Sequence, residues 1–188
     1  MNYQTAVTAK DSTLPVTLTQ AKEHLRVING DLDEHIETLI AAATEYCEGV
    51  TGRALRVSET LTQKYCQWPC NPIGFNRQPV TSITHVKYYD ADNVLTTVTS
   101  TNYRLQTSTN AACYLEFDSE YSKPSLYYRD DAVIITYVAG YATIAAVPEM
   151  AKHAVKMLVE QWFHGENVGE SNEAVDRCLR QLGWGCYR

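Results

Sequence analysis

Residues 134–166 constrain the fold of this chain most, because they read as a strand, a glycine-marked turn and a strongly amphipathic helix. Pro148 stands where the first turn of a helix tolerates proline. After it, apolar residues recur at three- and four-residue steps and share one face: Ala151, Ala154, Val155, Leu158, Val159 and Trp162. A helix of this kind is only marginally stable alone, so it must pack against another element.

The best candidate for that partner is a second amphipathic helix over residues 31–50, which Asp31 can cap and Gly52 ends. A shorter helix precedes it, with Thr17 and Gln20 spaced as a capping box. A last amphipathic helix covers residues 171–182 and carries Leu179 and Leu182 on its apolar stripe. These patterns predict a small helical bundle of two N-terminal and two C-terminal helices.

Between these helices the sequence changes to Thr, Val and Tyr alternation broken by proline and Asx turns, which is typical of strands. The predicted strands cover residues 55–65, 81–89, 94–98, 103–106, 112–117 and 133–138. The fold class is therefore α+β, with an antiparallel β subdomain inserted into the bundle. The predicted division is an extended or mobile arm over 1–16, a helical core over 17–53 and 139–183, the β subdomain over 54–138, and a tail over 184–188.

Charge and composition limit the functions that this chain can have. The net charge of -6 argues against wrapping nucleic acid, which needs clustered cations to displace counterions. The sequence shows neither a secretory signal nor an apolar run long enough for a membrane span, so we expect a protein made in the cytoplasm with its six cysteines reduced and without membrane association.

Candidate catalytic and metal-binding residues do not converge in the sequence. His153, Glu160 and His164 share a helix face but spread over more than two turns, so a solvated surface is the better interpretation. Cys66 and Cys70 form a close pair without a matching second pair, which disfavours a metal site. We therefore predict no catalytic residues, no metal site and no cofactor.

Three groups of residues are nevertheless candidates for functional surfaces. Acidic residues line up on the outer face of the second helix at Glu34, Glu37, Glu45 and Glu48, although most such faces are merely solvated. The paired tyrosines Tyr88, Tyr89, Tyr127 and Tyr128 suit a protein contact. The C-terminal GWGCYR places Trp184 and Tyr187 at a terminus, where they fold back or belong to a partner.

The order of four short motifs resembles that of the head-to-tail connector, or adaptor, proteins of tailed bacteriophages. A Tyr-x-x-x-x-Thr-Gly-Arg element spans 46–53, a Pro-Val-x-Ser-Ile strand spans 79–83, an Ala-Gly-Tyr turn spans 139–141, and Val147-Pro148 opens a helix. The resemblance covers residues 17–166, and the sequence departs from it at His164-Gly165 and in the cysteine-rich aromatic tail.

The resemblance implies a structural protein of the virion neck. Such proteins form a ring of about twelve copies between the portal protein and a downstream neck or tail protein, through which DNA passes without specific binding. In that setting we expect Glu34, Glu37, Glu45 and Glu48 to face the channel and the tyrosine pairs to contact subunits or the neck. The segment that docks on the portal would comprise Leu179, Leu182, Trp184, Tyr187 and Arg188.

Two other classes of protein remain open at this point. The first is another neck or tail-completion protein, which ring size and the identity of its partner would distinguish. The second is a small enzyme or ligand-binding domain, which the lack of converging site residues disfavours.

Overall fold

The structure is a computed structural model that describes residues 3–107, 112–166 and 169–182. It is a mixed α+β protein whose described residues form four helices and eight strands, all paired strands being antiparallel. The chain divides into two compact units: a β unit of residues 1–10 and 58–140, and a helical unit of residues 11–57 and 141–188. In the described part of the chain, no helix combines the length and apolarity that crossing a membrane requires.

The β unit contains two sheets. The strands are β1 (Tyr3–Lys10), β2 (Glu59–Tyr65), β3 (Ile73–Gly74), β4 (Val80–Tyr89), β5 (Leu95–Thr97), β6 (Tyr103–Gln106), β7 (Tyr114–Phe117) and β8 (Val133–Ala139). One sheet has the order β1-β2-β8-β4-β5 and the other has the order β3-β7-β6. Burial alternates along β2, as it must when one face of a strand is covered. Tyr137 of β8 is fully buried opposite Leu61 of β2.

The N-terminal segment is extended over residues 3–10, but it is a paired strand rather than the free arm that was predicted over residues 1–16. Residues 3–10 pair along β2, from Tyr3 opposite Tyr65 to Lys10 opposite Glu59. Almost every described side chain of β1 is exposed, so backbone pairing rather than burial holds this strand. The sequence of such an exposed strand shows no alternation of apolar and polar residues, so it cannot be predicted from that pattern. The β unit is therefore built from two separate segments of chain rather than from a single insertion.

The helical unit consists of α1 (Leu18–Leu25), α2 (Asp33–Thr51), α3 (Glu149–Phe163) and α4 (Glu173–Leu182). Its core is one cluster of buried apolar residues from all four helices, including Ala21, Ile36, Leu158 and Leu179. The helix that begins after Pro148 buries the predicted stripe, with Trp162 in edge contact with Tyr46 of α2 at 5.9 Å between ring centroids. The two stripes identified in the sequence thus pack against each other in this core.

Two helix ends, the start of α1 and the end of α2, follow the local chemistry predicted from the sequence. Thr17 caps α1 through the complete capping box with Gln20, and Gly52 ends α2 at a φ of 67°, which favours glycine. The start of α2 differs from the prediction, because the helix begins at Asp33 with no side-chain cap. Val50, in the last turn of α2, is an exposed apolar residue.

Candidate assembly surfaces

The first tyrosine pair supports the β unit from inside. Tyr88 is buried, with its ring centroid 5.4 Å from that of Trp68. Trp68 also contacts Phe117 and Tyr121 and donates its indole N–H to the carbonyl of Pro124. The expectation that Tyr88 contacts another molecule was therefore wrong, because its side of β4 is covered by this aromatic cluster.

Tyr89 is also engaged within the unit. The guanidinium of Arg129 stacks over its ring at 3.5 Å from the centroid. Arg129 donates to Oδ1 of Asp131 and to Oδ1 of Asn93, and these bonds fix the position of the guanidinium. The hydrogen bond from Arg129, together with its charge, lowers the pKa of Asp131. The carboxylate therefore stays charged and remains paired with Arg129. Arg129 directly follows the second tyrosine pair, but it was not among the site residues predicted from the sequence.

The second tyrosine pair is the most exposed aromatic surface in the described residues. Tyr128 is 99% exposed and Tyr127 is 45% exposed. The backbone beneath them is held in place, because the N–H of Tyr127 donates to the carbonyl of Tyr89 and Leu126 forms a β-bridge with Asp90. We call Tyr127 and Tyr128 the aromatic knob.

The acidic face of α2 contains three of the four predicted carboxylates. Glu34, Glu37 and Glu45 are exposed, and Glu45 lies 3.5 Å from the guanidinium of Arg56. Glu48 was wrongly assigned to this face, because it is 1% exposed. Its Oε1 accepts the N–H of Leu55 at 2.9 Å, and its Oε2 lies 3.8 Å from Nε of Arg56. Glu48 is therefore an internal anchor for the segment that follows α2.

The end of α4 is also an internal element. Leu179 and Leu182 are buried in the helical core, so they were wrongly assigned to a docking tail. Arg53, at the end of the Thr-Gly-Arg element, donates through Nε to the carbonyl of Leu182 and through Nη1 to the hydroxyl of Tyr141. The other predicted tail residues, Trp184, Tyr187 and Arg188, lie outside the described residues.

A groove of about 570 Å³ runs between α1 and the start of α2. We call it the α1–α2 groove. Its apolar wall consists of Leu18, Val27 and Ile28, and Ile28 is 93% exposed. Its polar residues include Glu23 and Arg26, as well as Lys22 and Asp33, which form an ion pair of 2.5 Å. Arg26 ends α1 in the left-handed region at a φ of 57° and is exposed.

The candidate chemical groups do not form a reactive centre in the described residues. Glu160 pairs with His24 at 3.0 Å rather than with His164, and both partners are partly exposed. Cys66 and Cys70 are exposed free thiols, whereas burial raises the pKa of the Cys47 thiol to about 12. Across residues 3–107, 112–166 and 169–182, no group of three or more His, Cys, Asp or Glu side chains is placed to hold a metal ion.

Exposed aromatic, acidic and grooved surfaces are thus the features of the described residues that suit contacts with other proteins. Residues 16–175 match the model of the head completion protein family, and the chain belongs to that family. A search of curated proteins found no match.

Solved structures with the same fold come from gene transfer agent (GTA) particles. A chain in the "Virion of native gene transfer agent (GTA) particle" has a TM-score of 0.78 and 20% identity, covering 95% of this chain and 94% of that chain. A chain in the "Neck of empty GTA particle computed with C6 symmetry" has a TM-score of 0.78 and 20% identity, covering 96% and 95%. A third, in the "Neck of native GTA particle computed with C12 symmetry", has a TM-score of 0.71 and 21% identity, covering 95% and 94%.

Proposed function

We propose that this protein is a structural component of the virion neck, where it forms a ring of about twelve copies between the portal and the tail and continues the DNA channel. The observation that carries the proposal is the family match over residues 16–175 together with a fold shared along nearly the whole chain with proteins of GTA particle necks. Those necks were computed with C6 and C12 symmetry, which supports a cyclic assembly. The role is structural rather than enzymatic.

A cyclic ring needs two different surfaces on each copy, because the interface is heterologous. The exposed aromatic knob and the α1–α2 groove are two surfaces of different shape. For the tyrosine pairs, the contact role now rests on Tyr127 and Tyr128, since Tyr88 is buried and Tyr89 lies under Arg129.

Mass measurement of the purified chain, alone and mixed with a portal protein from the same particle, tests the ring. We expect a complex with about twelve copies of this chain bound to the portal. A single copy bound to the portal, or no binding at any concentration, would refute the ring. Retention by an isolated tail instead of the portal would favour the alternative of a tail-completion protein.

The channel role is proposed for the exposed carboxylates Glu34, Glu37 and Glu45 of α2. Repeated around a ring, they would repel the phosphate backbone of DNA and reduce sticking during passage, with little specific binding. Replacing all three by lysine is expected to slow DNA release from particles, while Glu116→Lys, an exposed position in the β unit, serves as the matched control. A neck structure that places these carboxylates away from the lumen would exclude the role.

The docking role is proposed for the segment that follows α4, through Trp184, Tyr187 and Arg188. Two aromatic side chains and an arginine are the residue types that dominate the energetics of protein interfaces. Deleting residues 184–188 should abolish portal binding without unfolding the helical unit, since Leu182 completes the described core. Intact portal binding by the truncated chain would show that another surface docks.

An enzymatic or ligand-binding role is the remaining alternative. A bound metal in the purified protein, which elemental analysis detects directly, would support it.

A further inference from the structure

The Thr-Gly-Arg element ends α2 in a way that fixes the backbone of Arg53. Gly52 turns the chain out of the helix at a φ of 67°. The hydroxyl of Thr51 donates to the carbonyl of Cys47 and accepts the N–H of Arg53 at 3.3 Å. The side chain of Arg53 therefore leaves the end of α2 from a defined backbone position.

We propose that Arg53 positions the chain after α4 for docking on the portal. We call residues 183–188, which follow α4, the docking segment. The inference rests on the docking role proposed above for this segment, and it adds the residue that holds the start of the segment in place.

The guanidinium of Arg53 joins two parts of the helical unit that are distant in sequence. Its Nε donates to the carbonyl of Leu182, and its Nη1 donates to the hydroxyl of Tyr141 at 2.8 Å. Tyr141 is held in turn, because its N–H donates to the carbonyl of Arg56. A guanidinium presents its donors in a rigid planar fork, so two bonds in different directions fix its orientation. Arg53 is half-buried, and it acts through Leu182 rather than by touching the portal.

The bond to Leu182 acts where the chain leaves α4. The last four carbonyls of a helix have no partner within the helix, and a cation close to them is favourable because of the helix dipole. The carbonyl of Leu182 belongs to the planar peptide group that joins α4 to residue 183, so a bond to this oxygen holds the plane of that group. The side chain of Leu182 is buried in the helical core. The last residue of α4 is therefore held by both its side chain and its carbonyl.

The start of α4 is held as well. Oδ1 of Asn172 accepts the N–H of Val175 at 3.0 Å, and Nδ2 of Asn172 donates to Oε1 of Gln161 in α3 at 3.0 Å. The indole N–H of Trp162 donates to the carbonyl of Glu170 at 2.9 Å. Since both ends of α4 are bonded to other parts of the helical unit, this helix is a rigid base for the docking segment.

A fixed start lowers the cost of docking. A segment that leaves a rigid base from one defined peptide group samples fewer positions before it binds. Its entropy loss on docking is smaller, and its effective concentration at the portal is higher. A purely structural role of Arg53 would stabilise the helical unit, but it would not depend on how the docking segment is joined to α4.

The affinity of the full chain for an immobilised portal protein from the same particle tests this role. Arg53→Ala should raise the concentration for half-maximal binding by about tenfold. Arg53→Lys keeps the charge but lacks the planar fork, so it should recover only part of the loss. Tyr141→Phe removes the acceptor of one of the two bonds and keeps the bond to Leu182, so it should weaken binding by about threefold or less.

An insertion separates positioning from a general effect on stability. Four residues of glycine and serine, inserted after Leu182, free the docking segment from α4 and should themselves weaken portal binding. In this background Arg53→Ala should change the affinity by less than about twofold, because no fixed start is left to lose. Arg180→Ala, at an exposed position of α4, is the matched control and should bind as the wild type does. Urea unfolding verifies that every variant is folded under the conditions of the assay.

The outcomes distinguish this inference from the docking role on which it rests. If Arg53→Ala weakened binding equally with and without the insertion, its effect would be on stability, and the positioning role would be wrong. The same conclusion follows if Arg53→Ala binds as the wild type does while deletion of residues 184–188 abolishes binding. Full binding by the chain that lacks residues 184–188 would instead refute the docking role itself.

Discussion

Replacing Glu48 tests whether this carboxylate is an internal anchor or part of a charged surface. The side chain is buried, it accepts the N–H of the fully buried Leu55, and it lies 3.8 Å from Nε of Arg56. Glu48→Ala leaves a buried amide without an acceptor, which costs about 1–3 kcal/mol. It also removes the buried negative charge beside Arg56, for which the loss of one partner typically costs about 3–5 kcal/mol.

The cost of removing the negative charge beside Arg56 is smaller than this typical value because of the local geometry. The separation of 3.8 Å exceeds a hydrogen bond, and Glu45 still lies 3.5 Å from the same guanidinium. We therefore expect Glu48→Ala to lower the free energy of unfolding of the helical unit by about 3 kcal/mol. Glu48→Gln keeps an oxygen for the Leu55 amide and removes only the charge, so its expected cost is smaller, about 1–2 kcal/mol.

Urea unfolding followed by far-UV circular dichroism measures these free energies, and hydrogen exchange of the Leu55 amide reports the local bond. Glu37→Ala is the matched control, since Glu37 is exposed on the same helix and its loss should change stability by less than about 0.5 kcal/mol. If Glu48→Ala and Glu37→Ala destabilised the protein equally, the argument from burial would be wrong. If Glu48→Gln cost as much as Glu48→Ala, charge rather than the amide bond would dominate.

Three further predictions concern the cysteines of both units and the ends of two helices. Burial, and secondarily the charge of Glu48, raises the pKa of Cys47 from 9.0 to about 12, so the folded thiol stays neutral while the unfolded one ionises. The free energy of unfolding, measured by urea titration, should therefore fall by up to about 1.4 kcal/mol per pH unit between pH 9 and pH 12. Cys47→Ala should remove this contribution to the pH dependence. Alkylation of the native protein, read by peptide mass spectrometry, should modify Cys66 and Cys70 well before Cys47 and Cys113, and equal rates for all four would contradict the burial of the last two. Thr17→Ala, which removes the capping box of α1, and Gly52→Ala, at a φ of 67°, should each cost about 1 kcal/mol in thermal or urea unfolding, while a neutral result at either site would mean that the cap is dispensable.

The sequence predicted well wherever a local pattern and burial agree. The capping box at Thr17, the glycine stop at Gly52 and the apolar face of α3 were each identified from spacing, because these signals act within one or two turns of helix. Six of the eight strands lay within or close to predicted segments, whereas β1 and the two-residue β3 were missed. β1 lies at the edge of its sheet with most side chains exposed, so its stabilising pairing with β2 left no pattern in its own residues.

The candidate surfaces were harder to predict than the fold. The helical spacing of Glu34, Glu37, Glu45 and Glu48 places them on roughly the same face of α2. It does not show whether each of these side chains is exposed. The segment after α2 returns over Glu48 and buries it, which is a long-range event that helical periodicity does not encode. Likewise, exposed and buried tyrosines look alike in sequence, and the structure separates Tyr128 from Tyr88 through the cluster around Trp68.

By itself the sequence determined the α+β class, the two helix stripes that form the helical core, and the order of motifs typical of a neck protein. These features depend on the identity and spacing of residues that are close together in the sequence, so they can be recognised without the tertiary structure. Only the tertiary structure decided which polar groups are anchors and which are surface: Glu48, Arg53 and Arg129 became internal contacts, while Tyr128, Ile28 and Arg26 remained exposed. The physical reason is that burial of a polar group depends on partners distant in sequence, since only a hydrogen bond or ion pair supplied by the fold offsets its desolvation.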